Sequence, residues 1–385
     1  MNLRFLRPLY DTPGPWATVY LDDSLDTERG RSEVGLRWRA LREALRRQGA
    51  AEPTVAAIEE AVRDTTPENG QHGLAVFANA GERSRETPGV RSGPELVHTE
   101  TMAAPPPADS AEYGVLPHVA PLLAQRGQRI NWLRVVVDRT GGTIESADSS
   151  SIDVSGSETF PIRKIAPGGW ANPRFQREAE VTWQRNAKDV AEELTGLADT
   201  MGPEVIIVAG DVQARRLLVE QLPIRWQSKT VLTDAGSRAP GADPEALDDV
   251  TTQVVAQTAQ QHADEVLDRL RSDHGEEAAI GIAPVVTAFN RGQVETLLLD
   301  PIGLAGTMLW LDPASGQLAG DQAELPDGGP SAQRVLAEDA LIRAAATTDA
   351  DLLMVTAAGT DGSPLELRDG VGAVLRYSDP ATPHE

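Results

Sequence analysis

Apolar and polar positions along the chain sort into alternating strand-like and helix-like stretches. Trp16-Ala17-Thr18-Val19-Tyr20-Leu21 is a short β-rich run closed by Asp22-Asp23. Between Glu28 and Gln48 the apolar residues Val34, Leu36, Trp38, Leu41 and Leu45 recur near helical spacing. A second helix is predicted from Pro53 to Arg63, with proline at its start. Gly73 to Ala78 reads as a buried strand. Pro105-Pro106-Pro107 breaks any helix or central strand, and a short helix over Leu116 to Gln125 closes this first part. Residues 1–127 are thus expected to form a mixed α/β N-terminal domain.

From 128 to 272 the pattern changes. Trp132-Leu133-Arg134-Val135-Val136-Val137-Asp138 predicts a strong strand, Arg139 to Gly142 a turn, and Thr143 to Ser146 the returning arm of a hairpin. A loop with Pro167, Gly168 and Gly169 precedes a long helix from Arg174 to Met201. Glu204 to Gly210 is a continuous apolar strand, Ala214 to Gln221 a helix behind it, Thr230 to Leu232 a third strand, and Pro244 to Arg271 a long acid-rich helix. A hairpin followed by strand–helix alternation implies a mixed sheet of the ribonuclease-H-like kind.

Residues 273–385 read as a small α/β/α domain. Helix is expected over Ile280 to Arg291 and Ser331 to Thr347, with strands over Val294 to Leu299, Leu352 to Val355 and Gly372 to Tyr377. The Gly-, Pro- and Asp-rich stretch from Pro313 to Pro330 reads as an exposed insertion. The fold class is α/β throughout, in three domains without internal repeats.

The chemistry-bearing signals are sparse. The chain has no cysteine, which excludes disulfides, thiolate metal sites and a thiol nucleophile. No run approaches the roughly 18 apolar residues of a membrane span. The N-terminus alternates charged with apolar residues, unlike a secretory signal, so a cytoplasmic location without membrane attachment is expected. The six histidines, His72, His98, His118, His262, His274 and His384, never adopt HxxH or HExxH spacing. GxGxxG, GxxxxGK[ST] and GxSxG are absent. Gly210-Asp211 after a buried strand suits either a ligand site or a turn. Asp22-Asp23 suits either a metal or a helix cap, the cap being the simpler account.

Charge narrows the field further. The formal net charge is −23, from 58 acids against 35 bases, so phosphate is repelled at long range and any RNA-directed role must rest on local basic patches. Two such islands exist. Arg29, Arg31, Arg37, Arg39, Arg42, Arg46 and Arg47 stand against Glu33 and Glu43 on the first long helix, a local excess of +5. Arg163, Lys164, Arg174, Arg177, Arg185 and Lys188 stand against Glu178 and Glu180, an excess of +4. Between them in the second island lies Pro167-Gly168-Gly169-Trp170-Ala171-Asn172-Pro173-Arg174-Phe175. Its glycines permit close backbone approach, and its arginines and aromatics match what phosphates and bases recognise. The plain alternatives are a Gly-Gly turn with a tucked-in Trp170 and a solvated helix face.

The segment from Gly168 to Leu194 resembles the central-domain signature of the archaeal and eukaryotic class-1 release factors. There Gly-Gly-Gln is followed by small residues, then by Arg-Phe and a long charged helix. Gly370 to Tyr377 resembles the closing strand of the third domain in those factors and in Pelota. The resemblance covers most of the chain, is weakest in the first domain, and is strongest to the bacterial branch that includes the hibernation factor Balon and actinobacterial Vms-type proteins. It implies a ribonuclease-H-like central domain that reaches the peptidyl-transferase centre, with rRNA contacts from Gly168, Gly169, Trp170, Asn172, Arg174, Phe175 and Arg177. It also implies an L7Ae-like third domain meeting a translational GTPase such as EF-Tu, and a first domain whose arginines face the decoding site. No cofactor, metal or DNA partner is implied.

One departure decides the expected activity. Where the family presents glutamine, position 170 is Trp, with one N–H donor and no acceptor, and Gln176 lies six residues on. The decoding motifs for stop codons are absent. The expectation is a non-catalytic factor that binds the 70S ribosome and fills the A site during hibernation or stress. A peptidyl-tRNA hydrolase for stalled ribosomes is the alternative, and an acidic interaction protein without RNA the third.

Overall fold

The computed structural model describes residues 1–24, 30–65, 70–79, 97–127, 130–147, 150–155, 173–238, 244–271, 277–355 and 367–377; the side chains of 30–32, 173–180 and 327 fall outside that description. The chain folds as two compact units. One comprises Met1–Gln128 with Ala263–Glu385, the other Arg129–His262.

The first unit begins with helix α1 (Arg7–Asp11) and strand β1 (Trp16–Asp22), followed by helices α2 (Gly30–Arg47) and α3 (Glu52–Asp64). Strands β2 (Gly73–Asn79), β3 (Val97–Met102) and β4 (Ser110–Gly114) and helix α4 (Ala120–Arg126) complete its N-terminal part. The strands pair antiparallel in the order β3-β2-β1-β4. β1 is buried from Trp16 to Leu21 because both of its faces are covered, so alternation gives way to a mostly apolar run broken only by Thr18. Ala17, Val19 and Leu21 point with Leu74 and Val76 into a core closed by Trp38, Leu41 and Leu45 of α2 and Val55 and Ile58 of α3. Trp16, Tyr20, Ala75 and Phe77 point the other way, into a core shared with residues of the C-terminal part.

The second unit holds β5 (Trp132–Asp138), β6 (Gly141–Ser146), β7 (Ser151–Ser155), the long helix α5 (Pro173–Met201), β8 (Val205–Gly210), α6 (Val212–Gln221), the short α7 (Ile224–Gln227) and β9 (Thr230–Leu232). Helix α8 (Pro244–Arg271) begins in this unit and its residues from Ala263 onward belong to the first. The sheet order is β7-β6-β5-β8-β9; β5, β6 and β7 are antiparallel, while β8 and β9 run parallel to β5. That order and direction are the ribonuclease-H-like arrangement expected from the hairpin and the following alternation. Leu133, Val135, Val137, Ile206 and Val208 pack under Val190 and Leu194 of α5 and Leu218 of α6. Val205 and Ile207 face Val254, Val255 and Ala259 of α8.

The rest of the first unit contains β10 (Ala278–Ile280), α9 (Ile282–Asn290), β11 (Val294–Leu299), β12 (Met308–Leu311), β13 (Leu318–Ala319), β14 (Gln333–Leu336), α10 (Ala337–Thr347), β15 (Asp351–Met354) and β16 (Val371–Leu375). Its main sheet, β10-β16-β11-β15, is sandwiched. Leu298, Leu353 and Val374 meet Ala263, Val266, Leu267 and Leu270 of α8, and Leu297, Leu299, Val371 and Leu375 meet α9 and α10. A three-stranded sheet, β13-β12-β14, is attached. Among the described residues no helix is long and apolar enough to cross a membrane.

Four expectations need correction here. Ile280 ends strand β10 instead of starting a helix, because Gly281 at φ +96° breaks the chain before α9. Residues 333–336 are a strand against β12, and the helix starts only at Ala337. The stretch from Pro313 to Pro330 is not wholly an exposed insertion, since Leu318, Ala319 and Leu325 are buried. The strand expected to reach Tyr377 ends at the buried Leu375, and Tyr377 lies beyond β16, 52% exposed, donating from its hydroxyl to the Arg291 carbonyl.

Candidate nucleic-acid interface

The arginines of α2 separate into two groups once the fold brings distant acids to them. Arg37 lies 3.2 Å from Asp22 and 3.7 Å from Asp109, and donates to the Asp22 backbone carbonyl at 2.9 Å. Arg42 reaches Glu59 of α3 at 3.4 Å. Arg46 makes a two-pronged contact with Glu52, at 2.6 and 3.1 Å. This fork raises Arg46 and lowers Glu52 from their ordinary values. Arg39 and Arg47 are exposed, and no ion pair among the described residues involves them. They lie eight residues apart, near one stripe of the helix, with exposed Leu36 in the same sector. Three of the arginines behind the +5 of the sequence are thus offset in space, and among the described side chains of this helix Arg39 and Arg47 are the guanidiniums available to a phosphate. Arg31 lies in α2 with its side chain outside the described residues, and Arg29 lies outside them altogether.

Asp22 and Asp23 have different fates. Asp22 accepts from Ser24 N and pairs with Arg37, so its described bonds hold the end of β1. Asp23 is buried, its Oδ1 has no partner among the described residues, and burial raises its pKa.

Of the second island, Gly168, Gly169, Trp170 and Asn172, with Arg163 and Lys164, lie outside the described residues. Arg174, Phe175 and Arg177 lie in the first turns of α5, with side chains outside the description. Further along α5, Lys188 pairs with Glu192, and Asn186 donates to the Arg139 carbonyl at 2.9 Å. Arg139, in the β5–β6 turn, stacks over the Trp183 ring at 4.3 Å and reaches Asp211 at 3.5 Å. Sequence reasoning missed this Arg139–Trp183 contact, since no spacing rule joins the two positions. Asp211 itself caps α6, accepting from Gln213 N and Ala214 N. The turn reading of Gly210-Asp211 holds, and Gly210 carries the required φ of +109°.

The histidine that matters was not separable from the others by spacing. His118 Nδ1 lies 3.0 Å from Asp339 and 3.6 Å from Glu338, both in the first turn of α10. Such a trio can hold a divalent cation, and the same arrangement of carboxylates favours the protonated imidazole. Burial would lower the imidazole, yet the hydrogen bond to Asp339 and the charges of Asp339, Glu112 and Glu338 prevail and push it up to about 9. The result is an imidazolium neutralising a buried carboxylate.

A family model described as bacterial archaeo-eukaryotic release factor family 2 matches residues 131–276. The uncharacterized protein Rv2629 of Mycobacterium tuberculosis is 31% identical over 98% of this chain and 97% of its own length. Among solved structures, Dom34 of S. cerevisiae is a translation termination-like factor involved in RNA quality control that interacts with Hbs1. It is similar at 12% identity, over 81% of this chain and 82% of that one, with a TM-score of 0.39. The archaeal translation termination factor aRF1 is similar at 17% identity, over 97% and 96%, with a TM-score of 0.26.

Proposed function

Since the chain belongs to the archaeo-eukaryotic release factor superfamily, we propose that it binds the ribosome and occupies the A site without releasing peptide, as a hibernation or stress factor. One observation carries this reading: Gly168-Gly169 is followed by Trp170, where the family presents glutamine. Ester cleavage needs a water held in line and a group that steadies the developing charge. An indole stacks on a base, a contact worth about 1 to 3 kcal/mol, but it accepts no proton from water. Trp170 therefore suits an occupant better than a catalyst.

In this reading residues 128–272 reach the peptidyl-transferase centre. Residues 1–127 face the decoding site with Arg39 and Arg47, and residues 273–385 meet a translational GTPase, EF-Tu being the candidate. The test pairs sedimentation with chemistry. The purified protein should pellet with 70S particles, and Trp170→Ala should weaken that association. The protein should also release no labelled peptide from ribosomes carrying peptidyl-tRNA. Release well above the no-factor control would favour a peptidyl-tRNA hydrolase instead. Failure to pellet under any condition would favour an acidic interaction protein with no RNA partner.

A further inference from the structure

Arg343 of α10 is half-buried, and no carboxylate lies within salt-bridge distance of its guanidinium among the described residues; neither does it donate a hydrogen bond there. In a chain with 58 acids and 35 bases this is unexpected, because a partly dehydrated guanidinium ordinarily recovers its lost hydration from a carboxylate. The surroundings make it less favourable still: burial holds Arg343 below the ordinary arginine range.

A second polar group nearby has the same deficit. The Tyr10 hydroxyl is fully buried and has no hydrogen-bond partner among the described residues. It lies within electrostatic range of Asp339, which His118 neutralises, and of Arg343. An orphaned buried hydroxyl is destabilising unless something satisfies it.

Both residues line one cleft of about 440 Å³, within the size of small-molecule sites. Its walls are largely apolar, with Leu9, Trp16, Leu116 and Leu311, and Gln333 adds an exposed amide. Asp11 is an exposed carboxylate among the lining residues, able to stay hydrated. We infer that this cleft of the first unit binds a small organic anion. Its carboxylate or phosphate monoester would be held by Arg343 and Tyr10, and its apolar body would lie against Trp16 and the leucines. The pairing meets the unmet needs of both polar groups at once, and the planar guanidinium suits either head group. The inference stands apart from the ribosomal reading, since neither residue belongs to the arginine islands.

Isothermal titration of the full-length protein with benzoate, phenyl phosphate, inorganic phosphate and benzyl alcohol tests it. One of the two organic anions should bind with one site per chain, and benzyl alcohol at least about tenfold more weakly, the loss expected for one charge-assisted hydrogen bond. Whichever of benzoate and phenyl phosphate binds tighter identifies the head group. Arg343→Gln should weaken binding by a similar factor, with an unchanged circular dichroism spectrum. Arg343→Lys should weaken it less, and Tyr10→Phe several-fold. Should the Gln variant fail to fold, the Lys and Phe variants must both weaken binding. Three results would overturn the inference: no binding of either organic anion, benzyl alcohol binding as tightly as benzoate, or affinity indifferent to Arg343 and Tyr10. Inorganic phosphate binding as tightly as phenyl phosphate would overturn the role given to the apolar walls.

Discussion

His118 Nδ1 stands 3.0 Å from Asp339 Oδ1, tying the segment after β4 to the first turn of α10. Tyr20 extends the tie: its hydroxyl donates to the His118 carbonyl at 2.7 Å, and its ring meets the imidazole edge-on. Burial also raises Glu338 and Asp339, so the imidazolium is the group that keeps these carboxylates tolerable in the interior.

The pair makes stability depend on pH. The folded-state value of His118, about 9, lies above the ordinary 6.5. Its contribution is therefore full below about pH 6.5 and disappears as pH rises through about 9. Denaturant unfolding of the wild type should show stability falling across that window. His118→Gln, which strands Asp339, should lose about 3 to 5 kcal/mol at neutral pH and flatten the dependence. A histidine variant with an unaltered pH profile would contradict the assignment.

Leu375 and Tyr377 are two residues apart and differ sharply. Leu375 is fully buried in the shared core and Tyr377 is half-exposed. Leu375→Ala should cost roughly 2 to 5 kcal/mol by chemical denaturation, and Tyr377→Ala markedly less. Equal losses would contradict the placement of β16.

Gly210 joins β8 to the capped helix α6 at φ +109°, and a side chain there would strike the Val137 backbone carbonyl. Both the conformation and the space exclude a Cβ. Gly210→Ala should destabilise by about 3 kcal/mol or more, read by thermal unfolding. Asp211→Ala, which removes the cap and the partly exposed pairing with Arg139, should cost about 1 to 2 kcal/mol.

Salt and charge reversal together test the arginine accounting on α2. If Arg39 and Arg47 contact rRNA phosphates, ribosome association should fall steeply with salt, and Arg39→Glu with Arg47→Glu should weaken it and reduce the salt slope. Arg46→Glu, which breaks the fork with Glu52, should change association less. Equal effects from all three would mean that paired and unpaired arginines are used alike.

Local pattern determined much of this protein. The helices α2, α3, α5 and α8 and the strands β1, β2, β5, β8 and β11 announce themselves because each buries a periodic or continuous apolar set large enough to outweigh local noise. The strands that pattern does not reveal are mostly edges: β3, β4, β7, β10 and β13. An edge strand is held by a partner on one side only; the polar, partly wet side chains of β3, β4 and β7 carry no signature of that pairing, and β10 and β13, though apolar and buried, are only three and two residues long, too short to show a period. Residue 170 likewise needs no coordinates, since an indole cannot act as a carboxamide whatever its setting. Only the tertiary structure decided which arginines of α2 are neutralised, because Asp109, Glu52 and Glu59 come to that helix from beyond its end. It alone also set His118 against Asp339 across 221 residues and left Arg343 without an acid among the described residues, since ion pairing depends on distances of a few ångströms that no spacing along the chain encodes.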